Sequence, residues 1–165
     1  MDAEPKFHPP SHWKLATFPR RVGVGRSFVS GDESGDRLRI HYYTDTVSQE
    51  FCALVWWGLG AEGPPGHAHG GSMAAVLDES MGFAAWHAGH PVVAATITVH
   101  FRARLPLGEV FAVRSRVCSK EGAKVMTAGR IETIDGERCY SEADGIFIER
   151  PMEEFGDLVG VVQGG

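Results

Sequence analysis

The sequence of 165 residues predicts an α+β fold, in which one long helix lies against an antiparallel sheet of six strands. Two observations carry this prediction. Six segments have the alternation or the length of strands, and one segment between the second and the third has the apolar spacing of a helix. The last strands are joined by short turns, so we expect them to pair antiparallel.

Two strand segments come before the helix. Leu38, Ile40 and Tyr42 occupy every second position of the first, and residues 51–57 form an apolar run of strand length. The polar residues 45–49 supply the turn between them. One face of the sheet that these strands begin must bury the apolar side of the helix.

The helix is predicted to begin near His69 or Gly70 and to end near residues 88–89, because Gly89 and Pro91 are stop signals. At about 1.5 Å per residue it spans roughly 28 Å, enough to cross most of a curved sheet. One broad apolar stripe is expected to face the core, made of Met73, Val76, Leu77, Met81 and Ala84.

Four strand segments follow the helix. They are residues 96–102, 110–118, 125–134 and 139–148. Within them apolar residues recur at every second position or in short runs. The dipeptide Asp135-Gly136 between the last two is a strong hairpin signal.

Composition excludes several classes of protein. The net charge is −5 and no basic stripe is present, which argues against nucleic acid as a partner. The three cysteines, Cys52, Cys118 and Cys139, form no CxxC motif, so we expect neither a disulfide framework nor a zinc site. Free cysteines fit a protein of the reducing cytoplasm best. The sequence contains no run of about 18 apolar residues, so no membrane span is expected. The N-terminus does not resemble a secretory signal.

The chain is expected to contain one domain with a segment on either side. Residues 1–36, rich in Pro, Gly and charge, are interpreted as an N-terminal extension that Trp13, Phe18 and Phe28 could attach to the body. Residues 37–151 form the domain. Residues 152–165 are interpreted as a C-terminal tail.

The most informative segment is GPPGHAHGGSMAAVLDESMG, residues 63–82. A helix start offers unpaired N–H groups and partial positive charge, and Gly70 and Gly71 have no side chain to keep a carbonyl oxygen away from them. Asp78 projects from a face of small residues, where partial desolvation strengthens a carboxylate as a base. Periodicity alone favours the simpler interpretation, in which Asp78 lies in solvent beside Glu79.

This segment also contains residues that suit two other chemistries. His67 and His69 could bind a metal, but no acid follows between residues 70 and 77 to complete a site, so no metal is expected. Ser72 could be a nucleophile, but it lacks an elbow motif and an orienting acid, and it is better explained as a residue that satisfies the first helical turn.

Together with FRARLPLG, KEGAK and CYSEADGIFI, the segment resembles the signature of hotdog-fold acyl-CoA thioesterases. The closest match is to the branch that contains phenylacetate-pathway thioesterases and the mammalian proteins that act on long-chain acyl-CoA. The resemblance extends from about residue 23 to residue 151. It implies a six-stranded sheet wrapped around one helix, subunits paired as a homodimer or a dimer of dimers (a homotetramer), and an active site at their interface.

The resemblance also implies roles for individual residues. Asp78 matches the carboxylate that acts as base or nucleophile, Gly70 the residue whose N–H polarises the thioester carbonyl, and His69 the neighbour that shapes the pocket. Gly71 belongs to the same substrate-binding turn. Residues in positions that contact coenzyme A are His100, Arg102 and Lys124.

This sequence departs from the resemblance at Ala94, where relatives often have Thr or Ser facing the nucleophile. Thr96 lies two residues further on, so it could face the same way across the pleat and supply that hydroxyl, and we count it among the substrate-binding residues. The expected activity is hydrolysis of an acyl-CoA without cofactors, with lipid metabolism as its setting. A hydratase or dehydratase using His69 and Asp78, and a non-catalytic acyl-CoA-binding protein, remain as alternatives.

Overall fold

A computed structural model describes residues 4–17, 27–32 and 34–158 of the chain. Its sheet contains seven strands and its core a single long α-helix. In chain order the elements are β1 (Trp13–Leu15), β2 (Leu38–Asp45), β3 (Phe51–Trp57), α1 (Gly70–His87), β4 (Val92–Phe101), β5 (Val110–Glu121), β6 (Lys124–Glu132) and β7 (Cys139–Glu149). Short 3₁₀ segments occupy Leu59–Ala61 and Met152–Leu158.

All strands pair antiparallel, in the order β1-β2-β3-β5-β6-β7-β4. This arrangement of one helix and an antiparallel sheet confirms the predicted α+β hotdog fold. The strand count is seven rather than six because Trp13–Leu15 adds a short strand along the edge of β2. Strand β4 is the opposite edge of the sheet, and β7 is its one neighbour among the described strands.

The helix buries the predicted stripe against one face of the sheet. Met73, Val76, Leu77 and Met81 are at most 2% exposed, and Ala84 is 5% exposed. Facing them are alternate residues of the strands, such as Val113 and Val125. This packing fixes the orientation of α1, so the helix start and Asp78 are both held by the main core.

A second, smaller core lies on the outer face of the sheet. Trp13 packs there with Tyr43, Cys52, Leu54 and Ala112. The N-terminal segment is therefore joined to the domain by a strand and by a buried tryptophan. Of the other two residues expected to attach it, Phe18 lies outside the described residues and Phe28 is 85% exposed, so the expectation for Phe28 was wrong.

A buried network of charges supports this outer core. Asp45, which is 3% exposed, accepts hydrogen bonds from the Trp13 indole at 3.2 Å and from Arg114 at 2.9 Å. Arg114 also contacts Glu132 at 2.9 Å and Glu50 at 3.4 Å. Burial by itself raises the pKa of Asp45, but the N–H groups of residues 47 and 48 and the Arg114 guanidinium outweigh it and lower that pKa.

Across the described residues, no helix is both long enough and apolar enough to cross a membrane.

Candidate active site

The start of α1 is held by the residue that precedes it. His69 is the N-cap, and its Nδ1 accepts a hydrogen bond from the Gly71 N–H at 2.9 Å. The carbonyl of His69 accepts from the Ser72 hydroxyl at 2.7 Å and from the Ser72 N–H at 2.9 Å. The Gly71 and Ser72 amides are thus occupied, whereas the Gly70 N–H has no acceptor among the described residues.

One side of this helix start is covered by an aromatic ring. A Cβ at Gly70 would lie 3.3 Å from the Phe101 ring, so glycine permits this close approach. Phe101 ends β4 and is 54% exposed. Gly70 therefore lies beside the end of β4, an edge strand of the sheet.

Ser72 is not placed to act as a nucleophile. Its hydroxyl donates to the His69 carbonyl and accepts from the Trp57 indole N–H at 3.2 Å. Both contacts hold the first turn of the helix. No group of three or more His, Cys, Asp or Glu side chains suited to a metal occurs within the part of the chain that the structure describes.

Asp78 lies in the middle of the helix and is partly exposed. Its carboxylate has no hydrogen bond or ion pair with any described side chain. Burial, and then the charge of Glu79, raise the pKa of Asp78 above its ordinary value. A half-buried carboxylate without partners, and with increased proton affinity, has the properties of a general base.

Glu79 is a feature that the sequence interpretation missed. Its carboxylate accepts hydrogen bonds from the Tyr42 hydroxyl and, at 2.7 Å, from the Ser27 hydroxyl. Burial, and then Glu79, raise the pKa of Tyr42. Both donors are distant in sequence, and no local pattern indicated that Glu79 and Asp78 lie in different surroundings.

Gly70 and Asp78 are far apart within one chain. They are separated by eight residues of a continuous helix, which corresponds to about 12 Å along its axis. One carbonyl group cannot contact the N–H of Gly70 and the carboxylate of Asp78 of the same helix.

Ala94 has no hydroxyl to offer on the face of the sheet that the helix covers, and Thr96 does not supply one there. A β-bulge interrupts the pairing of β4 with β7, so that Ala94 pairs with Phe147 whereas Thr96 pairs with Ile146. Phe147 faces the core, and Ile146 faces outward. The extra residue reverses the alternation, and the expectation that Thr96 faces the same way as Ala94 was therefore wrong.

The three expected coenzyme A contacts lie on the outer face in two places. His100 and Arg102 border a shallow pocket of about 350 Å³, and Arg102 forms an ion pair with Glu142 at 3.0 Å. Lys124 begins β6 and pairs with Ile148, six residues along β7 from Glu142. At about 3.3 Å per residue this places Lys124 roughly 20 Å away from the other two.

A larger cavity of about 560 Å³ lies beside the helix start. Four parts of the chain form its walls: residues 27–32, the start of β2, the 3₁₀ segment Leu59–Ala61 with Glu62, and the turn His69–Ser72. Asp78 does not line it.

Comparison with known proteins agrees with this architecture. The sequence profile described as the thioesterase superfamily matches residues 65–140. Acyl-coenzyme A thioesterase THEM4 of Xenopus laevis is 30% identical over 146 residues, which make up 88% of this chain and 66% of that protein. Human acyl-coenzyme A thioesterase THEM5 is 27% identical over 113 residues, 68% of this chain and 45% of that protein. The chain thus spans less than two thirds of the length of these relatives.

Solved structures are similar as well. The crystal structure of a thioesterase superfamily protein has a TM-score of 0.63 and 28% identity, and the match covers 67% of this chain and 54% of that chain. A hypothetical thioesterase of Streptococcus pneumoniae, solved with coenzyme A, has a TM-score of 0.58 and 15% identity, over 61% and 78% of the two chains. The second likeness is one of fold.

Proposed function

Because this chain belongs to the thioesterase superfamily, we propose that it hydrolyses the thioester of an acyl-CoA to a free carboxylic acid and coenzyme A. The observation that carries this proposal is the unpaired N–H of Gly70 at the start of a helix whose middle bears a half-buried, unpaired Asp78. The names of the relatives, which are acyl-coenzyme A thioesterases, support the same substrate class.

In the proposed mechanism the Gly70 N–H, assisted by the partial positive charge of the helix start, donates to the thioester carbonyl oxygen. The oxygen gains negative charge when the carbonyl carbon becomes tetrahedral, so the hydrogen bond strengthens in the transition state. A preorganised donor of this kind contributes about two to three orders of magnitude in rate. His69 shapes the turn, because its imidazole holds the Gly71 amide.

Asp78 supplies the second half of the reaction. Its carboxylate removes a proton from water, and the water oxygen attacks the carbonyl carbon. The carbon–sulfur bond then breaks, and the thiolate of coenzyme A receives the proton. In the alternative route the Asp78 carboxylate attacks the carbonyl carbon, the carbon–sulfur bond breaks and coenzyme A leaves as the thiolate. Water then hydrolyses the resulting anhydride, which restores the Asp78 carboxylate and releases the acid, and the proton from water goes to the thiolate.

The separation of Gly70 and Asp78 along the helix supports a homodimer. In the proposed dimer the β4 edges of two subunits meet, and Asp78 of each subunit serves the carbonyl bound at Gly70 of the other. A twofold axis then creates two equivalent sites. A dimer of dimers would pair such units through other surfaces.

Coenzyme A is proposed to extend from the helix start toward the outer face. His100 and Arg102 would meet one charged part of the nucleotide, and Lys124 of one or the other subunit a second part. The streptococcal relative solved with coenzyme A supports a coenzyme A ligand on this fold. Such exposed contacts weaken as salt concentration rises.

The matched pair Gly70→Ala and Gly70→Pro tests the carbonyl-polarising role. Gly70 is the first helical residue, where proline is tolerated, and His69 has the extended φ and ψ of −64° and 133° that suit a residue before proline. Both variants add a Cβ near Phe101, but proline alone removes the N–H. We expect a further loss in kcat of about a hundredfold from Ala to Pro. Equal activity of the two variants would refute the role of Gly70.

The two-subunit site is tested by mixing Gly70→Pro with Asp78→Asn by co-expression. Each variant alone should be inactive. Half of the randomly formed dimers contain one subunit of each kind, and one of their two sites has both native residues. We therefore expect about a quarter of the native activity. Absence of any recovery in a sample shown to contain mixed dimers would exclude the shared site.

Asp78→Asn should lower kcat by about two to four orders of magnitude, measured as thiol release from a panel of acyl-CoAs. Glu109→Gln, at an exposed carboxylate far from the site along the chain, serves as the control. Full activity in folded Asp78→Asn would refute the mechanism.

A second candidate function is that of a non-catalytic acyl-CoA-binding protein. It is favoured because Ala94 offers no hydroxyl on the face of the sheet that the helix covers. Thermal stabilisation by acyl-CoA without thiol release would support it. A hydratase or dehydratase would instead consume an enoyl-CoA without releasing thiol.

We place this activity in the cytoplasm. The cysteines Cys52, Cys118 and Cys139 are all unpaired, which agrees with a reducing compartment.

A further inference from the structure

The carbonyl of His69 and the N–H of Gly70 belong to one peptide unit, which is planar because its C–N bond has partial double-bond character. A group that binds this carbonyl therefore also fixes the direction of the Gly70 N–H, which points the opposite way. Three donors bind the carbonyl: the Ser72 hydroxyl at 2.7 Å, the Ser72 N–H at 2.9 Å and the Met73 N–H at 3.4 Å. The peptide unit is thus held from the side opposite to its free N–H.

The Ser72 hydroxyl is itself held by a buried donor. The indole N–H of Trp57 donates to the Ser72 oxygen at 3.2 Å, and Trp57 is 0% exposed. Its ring packs edge-on against Phe111, with ring centroids 6.0 Å apart, and the Gly108 N–H donates to its carbonyl at 2.7 Å. Because the indole is fixed in the core, it holds the Ser72 oxygen in place, and the one hydroxyl proton remains for the His69 carbonyl.

These contacts form a relay with one direction. It runs from the Trp57 indole N–H through the Ser72 hydroxyl to the His69 carbonyl, whose peptide unit ends in the Gly70 N–H. Hydrogen bonds in series polarise one another, each strengthening its neighbour by about 10–30%. Electron density drawn toward the His69 oxygen leaves more positive charge on the Gly70 N–H. The relay therefore makes this N–H a stronger donor, in addition to fixing its direction.

We propose that Ser72 and Trp57 are positioning residues for the reaction, because they orient the Gly70 N–H and strengthen it as the donor to the thioester oxygen. The inference rests on the proposed function, in which this N–H polarises the carbonyl. Neither side chain contacts the reacting atoms in this scheme, and their effect passes through the peptide unit between His69 and Gly70. A role confined to the stability of the first helical turn would leave the strength of that donor unchanged.

The kinetic test begins with Ser72→Ala, which removes the hydroxyl of the relay. We expect it to lower kcat about fivefold and to change KM little, because the bond from Gly70 strengthens only in the transition state. Ser72→Thr keeps the hydroxyl and should restore kcat. Trp57→Phe keeps an aromatic ring without the N–H and should lower kcat about twofold. Ser11→Ala, at an exposed hydroxyl of the N-terminal segment, is the control.

The double variant Ser72→Ala/Trp57→Phe separates the relay from lost packing. Since Trp57 acts through Ser72, the double variant should be no slower than Ser72→Ala alone, whereas independent losses would multiply. Multiplied losses, or native kcat in folded Ser72→Ala, overturn the proposal.

A spectroscopic measurement separates this inference from the proposed function. The ¹³C resonance of the His69 carbonyl and the ¹⁵N resonance of the Gly70 amide both move upfield when a hydrogen bond to that carbonyl is lost. We expect this shift in Ser72→Ala, a smaller one in Trp57→Phe, and near-native resonances in Ser72→Thr. Unshifted resonances in Ser72→Ala overturn the relay but leave hydrolysis at Gly70 and Asp78 intact. Shifted resonances in a protein that releases no thiol support the relay and place the failure in the proposed function.

Discussion

The hydroxyl of Tyr42 donates a hydrogen bond to Glu79, the residue that follows Asp78 on the helix. Ser27 donates a second one at 2.7 Å. The carboxylate of Glu79 is therefore held beside the proposed catalytic base, whose own carboxylate has no partner among the described residues. Glu79 is one of the two causes that raise the pKa of Asp78, after burial.

Glu79→Gln is expected to lower the pKa of Asp78, because removing a neighbouring negative charge favours the ionised carboxylate. A base must be ionised to act, so the acid limb of kcat/KM against pH should move to lower pH. Tyr42→Phe keeps the charge of Glu79 and removes one hydrogen bond, and it should leave that limb close to its native position. An unchanged acid limb in Glu79→Gln would show that this charge does not act on the base.

Asp78→Asn is expected to stabilise the protein while it abolishes activity. A carboxyl whose pKa is raised by folding favours the folded state below its unfolded pKa, and this contribution is lost as pH rises through the folded pKa. The amide has no such cost, so the melting temperature of the variant should exceed the native value at neutral pH. The difference should disappear below about pH 4, where an unfolded aspartate is protonated. A lower melting temperature at neutral pH would mean that Asp78 has a structural role.

The β-bulge predicts different effects for two hydroxyl-changing substitutions. Thr96→Ala should alter kcat by less than about threefold, because Thr96 faces away from the helix. Ala94→Ser places a hydroxyl on the helix face and should raise kcat if water orientation limits the reaction. Both are measured by thiol release at saturating acyl-CoA. A large loss in Thr96→Ala would indicate that its outer-face position contacts substrate.

Asp45→Ala should destabilise the fold by about 1–3 kcal/mol, because it removes the buried acceptor of the Trp13 indole and one of the three carboxylates that contact Arg114. Since the pKa of Asp45 is lowered, its contribution is present above the ordinary aspartate pKa of about 4 and is lost as pH falls. Urea unfolding should therefore show a difference in the free energy of unfolding between native and variant protein, and this difference should become smaller only at acidic pH. Glu109→Ala, at an exposed carboxylate, is the control. If that difference did not depend on pH, the destabilisation would come from lost packing and not from the lost charge of Asp45.

Much of this architecture is determined by the sequence itself. Alternation and run length identified six of the seven described strands, β1 being the exception, and residues 51–57 were predicted with the bounds that β3 has. The helix start at Gly70 and its buried stripe also followed, because spacing along a helix dictates which side chains share a face. The same geometry separates Gly70 from Asp78 by eight residues, whereas the expectation of an active site between two subunits came from the resemblance.

The tertiary structure alone determines which residues that are distant in the chain come into contact. Ser27 and Tyr42 meet Glu79 from 52 and 37 residues away, and no local periodicity encodes such a meeting. The direction of Thr96 depended on one extra residue in β4, which reverses every later side chain but leaves the alternation of the sequence looking regular. The sequence thus specifies local conformation and burial through spacing, whereas long-range packing determines which polar groups meet at the site.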